Sequence, residues 1–174
     1  MLAGAQLCGP VVIYDDDHSY MANMLAAHLA ERGVSVHLVT PQASLAPWMA
    51  LTLEQSRVVA QLHALGVAMS PNAAAVTWEE GALSLVRSDT GEALPHVQAR
   101  TLLSVTARLP DQSLSSDLDA RGIAHRLIGD MEVPGLIQAA VYSGHRPARE
   151  LLGQELVPGG FRRERPTLFH ADAS

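Results

Sequence analysis

The sequence contains one cysteine, Cys8, in 174 residues. A lone thiol closes no disulfide within the chain and cannot supply the thiolates of a cysteine-ligated iron–sulfur cluster. The plain reading of Cys8 is a small buried or linker thiol. Aromatic residues make up only 4% of the chain, none interleaves with a basic run, and the formal charge is −6. That composition lacks the electrostatic footprint of a nucleic-acid binder. No apolar run is long enough to span a bilayer, and the first residues lack the basic segment of a secretory signal. The expected location is the cytoplasm, with neither nucleic acid nor membrane as a partner. What is present, 48% hydrophobic and 17% charged residues, suits one α/β domain, or one domain with part of another.

A second lack is local. Pro10 to Tyr14 reads as a short buried strand, Asn23 to Arg32 as a helix closed by Gly33, and Val34 to Val39 as an alternating second strand. A dinucleotide-binding unit of this layout needs G-x-G-x-x-G at its first turn, so that backbone N–H groups and the positive helix end hold a pyrophosphate. Asp15, Asp16, Asp17 and His18 stand there instead. A carboxylate at a helix N-terminus stabilises the helix by roughly 0.3–1 kcal/mol and repels phosphate. The pattern therefore predicts a degenerate nucleotide turn. A metal site is the less favoured reading, because contiguous residues do not all face one ion. A helix N-cap with solvated acids is the simpler one. The end of the second strand carries Thr40 and Pro41, with no acid for a ribose. Two elements of the dinucleotide site fail together.

Farther along, Pro41 to Pro47 reads as a loop. Leu51 to Leu65 reads as a helix, with Thr52 and Gln55 in a capping-box pattern and Gly66 at its end. Gly66 to Met69 reads as a third, parallel strand. Ala75 to Glu79, Ala82 to Arg87 and His96 to Ala99 form a meander, and Thr101 to Thr106 is a buried strand. Asp111 to Arg121 is a short helix, Gly122 to Ile128 a strand, Asp130 to Gly135 a turn, and Leu136 to Leu152 a helix with an apolar face. The expected fold class is α/β: a three-layer Rossmann-like domain with a parallel sheet and a β-meander.

His28, His63, His96, His125 and His145 show no sequence spacing to Ser, Cys or Asp that marks a nucleophilic site. No catalytic residue and no metal ligand set is assigned. Trp48 and Trp78 read as packing residues. Phe161 with Arg162, Arg163 and Arg165 reads as a solvated strap in an extended tail.

Two further motifs carry a resemblance. The run Leu103-Ser104-Val105-Thr106-Ala107-Arg108-Leu109-Pro110 is similar to the A-T-G-R-x-P strand end of flavin-dependent disulfide reductases, and Ile128-Gly129-Asp130 with the following helix to their I-G-D unit. Together with the Gly144-His145-Arg146 run and the opening strand and turn, the chain from Pro10 to Pro166 resembles the C-terminal region of the trimethylamine dehydrogenase, histamine dehydrogenase and 2,4-dienoyl-CoA reductase family of NADH:flavin oxidoreductases. The resemblance implies a long (β/α)₈ barrel carrying FMN and a 4Fe-4S cluster ahead of this region. It also implies an NAD(P)-binding-like domain inserted into an FAD-like one that holds ADP or FAD.

On that basis residues 1–9 are a lead-in and 10–110 the NAD(P)-binding-like domain. Residues 111–152 are the return segment of the FAD/ADP-binding-like domain, and 153–174 an extended tail. Gly129 and Asp130 become the adenine-nucleotide-binding pair of the intact enzyme. The chain is then a non-catalytic piece of an amine-oxidising or demethylating enzyme. Its partners are the missing barrel and FAD-like half-domain, an electron-transfer flavoprotein and a second copy in a homodimer. Two readings stay beside it: the NAD(P)H-binding domain of an enoate or dienoyl-CoA reductase-like flavoenzyme, and a stand-alone interaction domain.

Overall fold

A computed structural model describes Leu7 and residues 9–152. Cys8 and the proposed tail strap, Phe161 to Arg165, lie outside the described residues. The chain divides into two units, Met1–Ala107 and Arg108–Ser174.

The first unit is built on a parallel sheet in the order β3-β2-β1-β7, formed by β1 (Val11–Asp15), β2 (Val36–Val39), β3 (Ala68–Ser70) and β7 (Thr101–Val105). β1 is central and buried on both faces, which is why its sequence is a continuous apolar run. Its side chains alternate between two cores. Val11 and Ile13 face the helices α1 (Met21–Ala30) and α2 (Gln55–Ala64), joining Ala26, Leu38, Val58 and Leu62. Val12 faces the other way and joins Leu83, Leu85 and Val97 of an antiparallel meander, β4 (Ala73–Glu79), β5 (Ala82–Arg87) and β6 (Ala93–Gln98). Helices, parallel sheet and meander are the three layers read from the sequence.

Local chemistry moves several boundaries. α1 starts two residues early because it begins at Met21 with Tyr20 as its N-cap residue, which lends no side-chain cap. Gly33 ends the segment as expected, at φ +78°. The helix expected from Leu51 begins only at Gln55, as α2, and a 3-10 turn at Pro47–Ala50 precedes it. The Thr52 capping box does not form. The Thr52 hydroxyl shares its single proton between the Met49 carbonyl at 3.1 Å and the Glu54 carboxylate at 2.9 Å, and Glu54 occupies the cap position without a side-chain cap bond.

The second unit contains α3 (Ser113–Ala120), a 3-10 turn (Gly129–Met131) and α4 (Ile137–Leu152). The strand expected at Gly122 to Ile128 is absent: no ladder forms there, although Ile128 keeps extended dihedrals. A strand exists only with a neighbour to bond, and the described residues of this unit offer none. Ser115 and Pro147 are its buried residues among those described. Ile137 and Val141 on α4, and Val133 before it, stand exposed at 80%, 52% and 71%.

Candidate functional site

The carboxyl ends of parallel strands, where a turn leads into a helix, are where α/β sheets bind ligands. Here that place is the turn from β1 to α1. Counted from the end of β1, the three glycine positions of a dinucleotide turn fall on Asp15, Asp17 and Tyr20.

The backbone of this turn is used internally. The N–H groups of Asp16 and Asp17 both donate to the Val105 carbonyl at the end of β7, at 2.8 and 3.1 Å. The His18 N–H donates to Asp15 Oδ1 at 3.0 Å, and His18 itself sits at φ +62°. A phosphate cradle needs successive amides aimed at one point in solvent. These three amides are aimed at protein oxygens, so the residues present do not fit a pyrophosphate.

The acids also differ from a set of solvated capping groups. None lies in the first turn of α1. Asp15 is 1% exposed, and its Oδ2 is buried without a hydrogen-bond partner. Burial pushes its carboxyl above the ordinary range, opposed by the His18 N–H bond and the nearby imidazole. Asp16 stays at the surface with its carboxylate 3.4 Å from His18 Nε2. Asn23, fully buried in α1, donates back to the Ser19 carbonyl at 3.0 Å.

A carboxyl whose pKa is raised by folding favours the folded state most when protonated, and loses that advantage as pH rises through the carboxylate range toward its raised folded value. Asp15→Asn keeps an acceptor for the His18 N–H and removes the charge. It should melt above the parent protein at pH 7, with the gap closing near pH 4. Calorimetric melting of both proteins across that interval checks it, and a gap independent of pH overturns the assignment.

The second predicted site, Gly129 and Asp130, is arranged by α4. Gly129 adopts φ +60°, and its N–H donates to Ser143 Oγ at 2.7 Å. Ser143 Oγ in turn donates to the Ala140 carbonyl at 2.9 Å. Asp130 is exposed and accepts a 3.3 Å bond from the Gly135 N–H. The pair is held as a turn leading toward α4, with the Asp130 carboxylate exposed.

The structure brings together one arrangement that sequence spacing conceals. Ser115 Oγ and His125 Nε2 lie 2.7 Å apart, and Asp119 approaches His125 Nδ1. The carboxylate is 3.8 Å away, too far for a hydrogen bond. The Ile123 carbonyl occupies Nδ1 at 3.0 Å instead. A relay orienting the imidazole through an acid is therefore not formed, and the contact ties α3 to the segment after it. His28 and His96 contact Arg32 and Ser84 respectively. Among the described residues no group of three His, Cys, Asp or Glu side chains is placed to hold a metal ion. No described helix is long and apolar enough to cross a membrane.

The three-layer first unit and its turn define the class: an α/β domain of the flavoenzyme type. Residues 1–93 match the family model of the OYE-like second alpha/beta domain, and the chain belongs to that family. Histamine dehydrogenase from Rhizobium sp. 4-9 superposes with a TM-score of 0.80 at 35% identity, covering 93% of this chain and 26% of that one. The 6-hydroxypseudooxynicotine amine oxidase of Pseudomonas geniculata N1 matches at 0.72 and 30%, over 79% of this chain and 21% of its own. Dimethylamine dehydrogenase of Hyphomicrobium sp. (strain x) is 30% identical over 166 residues, covering 81% of this chain and 22% of the relative. The chain thus spans about a quarter of the length of the proteins it resembles.

Proposed function

We propose that this chain is the C-terminal part of an FMN/iron–sulfur oxidoreductase that oxidises or demethylates a small amine. It supplies a structural, ADP-domain-completing and electron-acceptor-docking module with no chemistry of its own. The observation that carries this reading is the 35% identity and TM-score of 0.80 to histamine dehydrogenase over 93% of the chain. FMN and the cluster would be held outside the chain, since its one cysteine cannot ligate a 4Fe-4S centre. Gly129 and Asp130 would form one wall of the adenine-nucleotide pocket, with Asp130 accepting a ribose hydroxyl. The other wall belongs to the FAD-like half-domain.

In this reading the turn from Asp15 to His18 takes no coenzyme. Its amides are spent on Val105 and Asp15, and its acids repel phosphate. NADH added to the 174-residue chain should show no saturable fluorescence change below about 1 mM. A micromolar dissociation constant overturns the degenerate-turn assignment and favours a reductase-type NAD(P)H domain.

The experiment for the whole reading is to tag the native gene at its 3′ end and purify the product. The expected product is longer than 174 residues, binds flavin, and reduces an artificial dye when given a small amine such as dimethylamine or histamine. A colourless product of 18.5 kDa with no amine-dependent dye reduction overturns it in favour of a stand-alone interaction domain.

A further inference from the structure

The strand β3 forms one margin of the parallel sheet. In a parallel ladder both backbone groups of a residue aim at the same neighbour, and successive residues alternate sides. The Thr40 N–H donates to the Ser70 carbonyl at 3.1 Å, and Ala68 and Ser70 are registered with His37 and Val39. The backbone groups of Ala68 and Ser70 therefore serve β2. Those of Met69 aim at the open side, where no strand lies among the described residues.

Met69 also lines an open groove of about 660 Å³ between this margin, α2 and the loop after β2. That volume lies within the range of roughly 300–1,000 Å³ typical of small-molecule sites. Leu45, Val59 and Pro71 give it apolar walls, and His63 and Ser56 stand on the α2 side. Gln55 holds the shape. Its Nε2 donates to the Leu45 carbonyl at 2.7 Å and to Ser44 Oγ at 3.2 Å, fastening the loop to the first turn of α2. The lining has no carboxylate and no arginine. A phosphate finds no lysine or arginine there, and an ammonium group finds no anion.

The geometry points to a binding site for an uncharged, planar heteroaromatic molecule of the nucleobase type. Its adjacent donor and acceptor would pair with the Met69 carbonyl and N–H, and its ring would lie against Leu45 and Val59. One backbone residue presenting both a donor and an acceptor beside an apolar wall reads the edge of such a ring. A purely aliphatic ligand would leave both groups without a partner when it excluded water. The site lies two strand spacings, about 10 Å, from β1 and its turn.

Titration of the ¹⁵N-labelled 174-residue chain with 7-azaindole and with indole tests this. 7-Azaindole carries a ring N–H next to a ring acceptor, whereas indole has the N–H alone. Saturable shifts are expected at the Met69 amide and along α2, with 7-azaindole bound about fivefold tighter than indole, the effect of one additional net hydrogen bond. Ala60→Trp, which fills the groove from its exposed side, should abolish saturation; Ser56→Trp serves if that variant does not fold. Equal affinity for the two probes, absence of saturation, or saturation that survives the filled groove each overturns the assignment.

Discussion

Hydrogen exchange on the isolated chain will divide it between Ala107 and Arg108. Amides of β1, β2 and β7 should open only with global unfolding, which for domains of this size costs about 5–15 kcal/mol. Ile13 in β1 and Leu38 and Val39 in β2 are fully excluded from solvent. α3 and α4 have no comparable support. Of their described residues only Ser115 and Pro147 are buried, and Pro147 removes one backbone donor from the middle of α4. What holds α4 to its surroundings is polar and near the surface: the Gly129–Ser143 bond, and Glu150 between Arg126 and Arg146. The two arginines hold the Glu150 carboxyl below its usual range, but ion pairs this exposed add little to stability. Protection in α4 should therefore be at least a thousandfold lower than in β1 in dilute solution. It should rise with protein concentration if copies cover the apolar face of Ile137 and Val141. A strictly monomeric chain whose α4 is as protected as β1 overturns both this account and the expectation of self-association.

The second large effect concerns the two-sided sheet. Leu38→Ala should destabilise the first unit by about 2–5 kcal/mol, because a fully enclosed leucine leaves a void its neighbours cannot close. In a unit of this size that lowers the melting temperature by at least about 10 °C. Leu38 packs in one cluster with Ile13, Ala26 and Leu62. Val12 lies on the opposite face against Leu83 and Val97. Val12→Ala should add its loss to that of Leu38→Ala with little coupling, since the two side chains pack in different clusters on opposite faces of the sheet. A double variant far from additive in denaturant unfolding would show that the faces do not pack independently.

The architecture of the first unit was legible because its signals are local. A buried apolar run, an amphipathic helix ended by glycine and turn-punctuated short strands each announce themselves within ten residues. Boundaries shifted where side chains found unforeseen partners, as Thr52 did in Met49 and Glu54. Gly122 to Ile128 has a strand's composition, but a strand is a relation between segments, and no partner segment lies among the described residues. The character of the β1–α1 turn was half legible. Two acids at glycine positions, with a third between them, spoke against phosphate, yet only the fold shows that Asp15 is buried and that Val105 takes two of the amides. The Ser115–His125 contact and the groove beside Met69 join positions far apart or of ordinary composition, and no spacing rule marks them.

The Val105 carbonyl fixes what protein engineering can achieve at the first turn. Restoring glycine at Asp15, Asp17 and Tyr20 would remove two of the three acids and the bulk but leave Asp16 in place and two amides turned inward, toward the neighbouring strand. A redesign aimed at coenzyme affinity must therefore rebuild the end of β7 as well as the loop. Retracing the substitutions in the loop alone would yield a less acidic turn that still grips nothing.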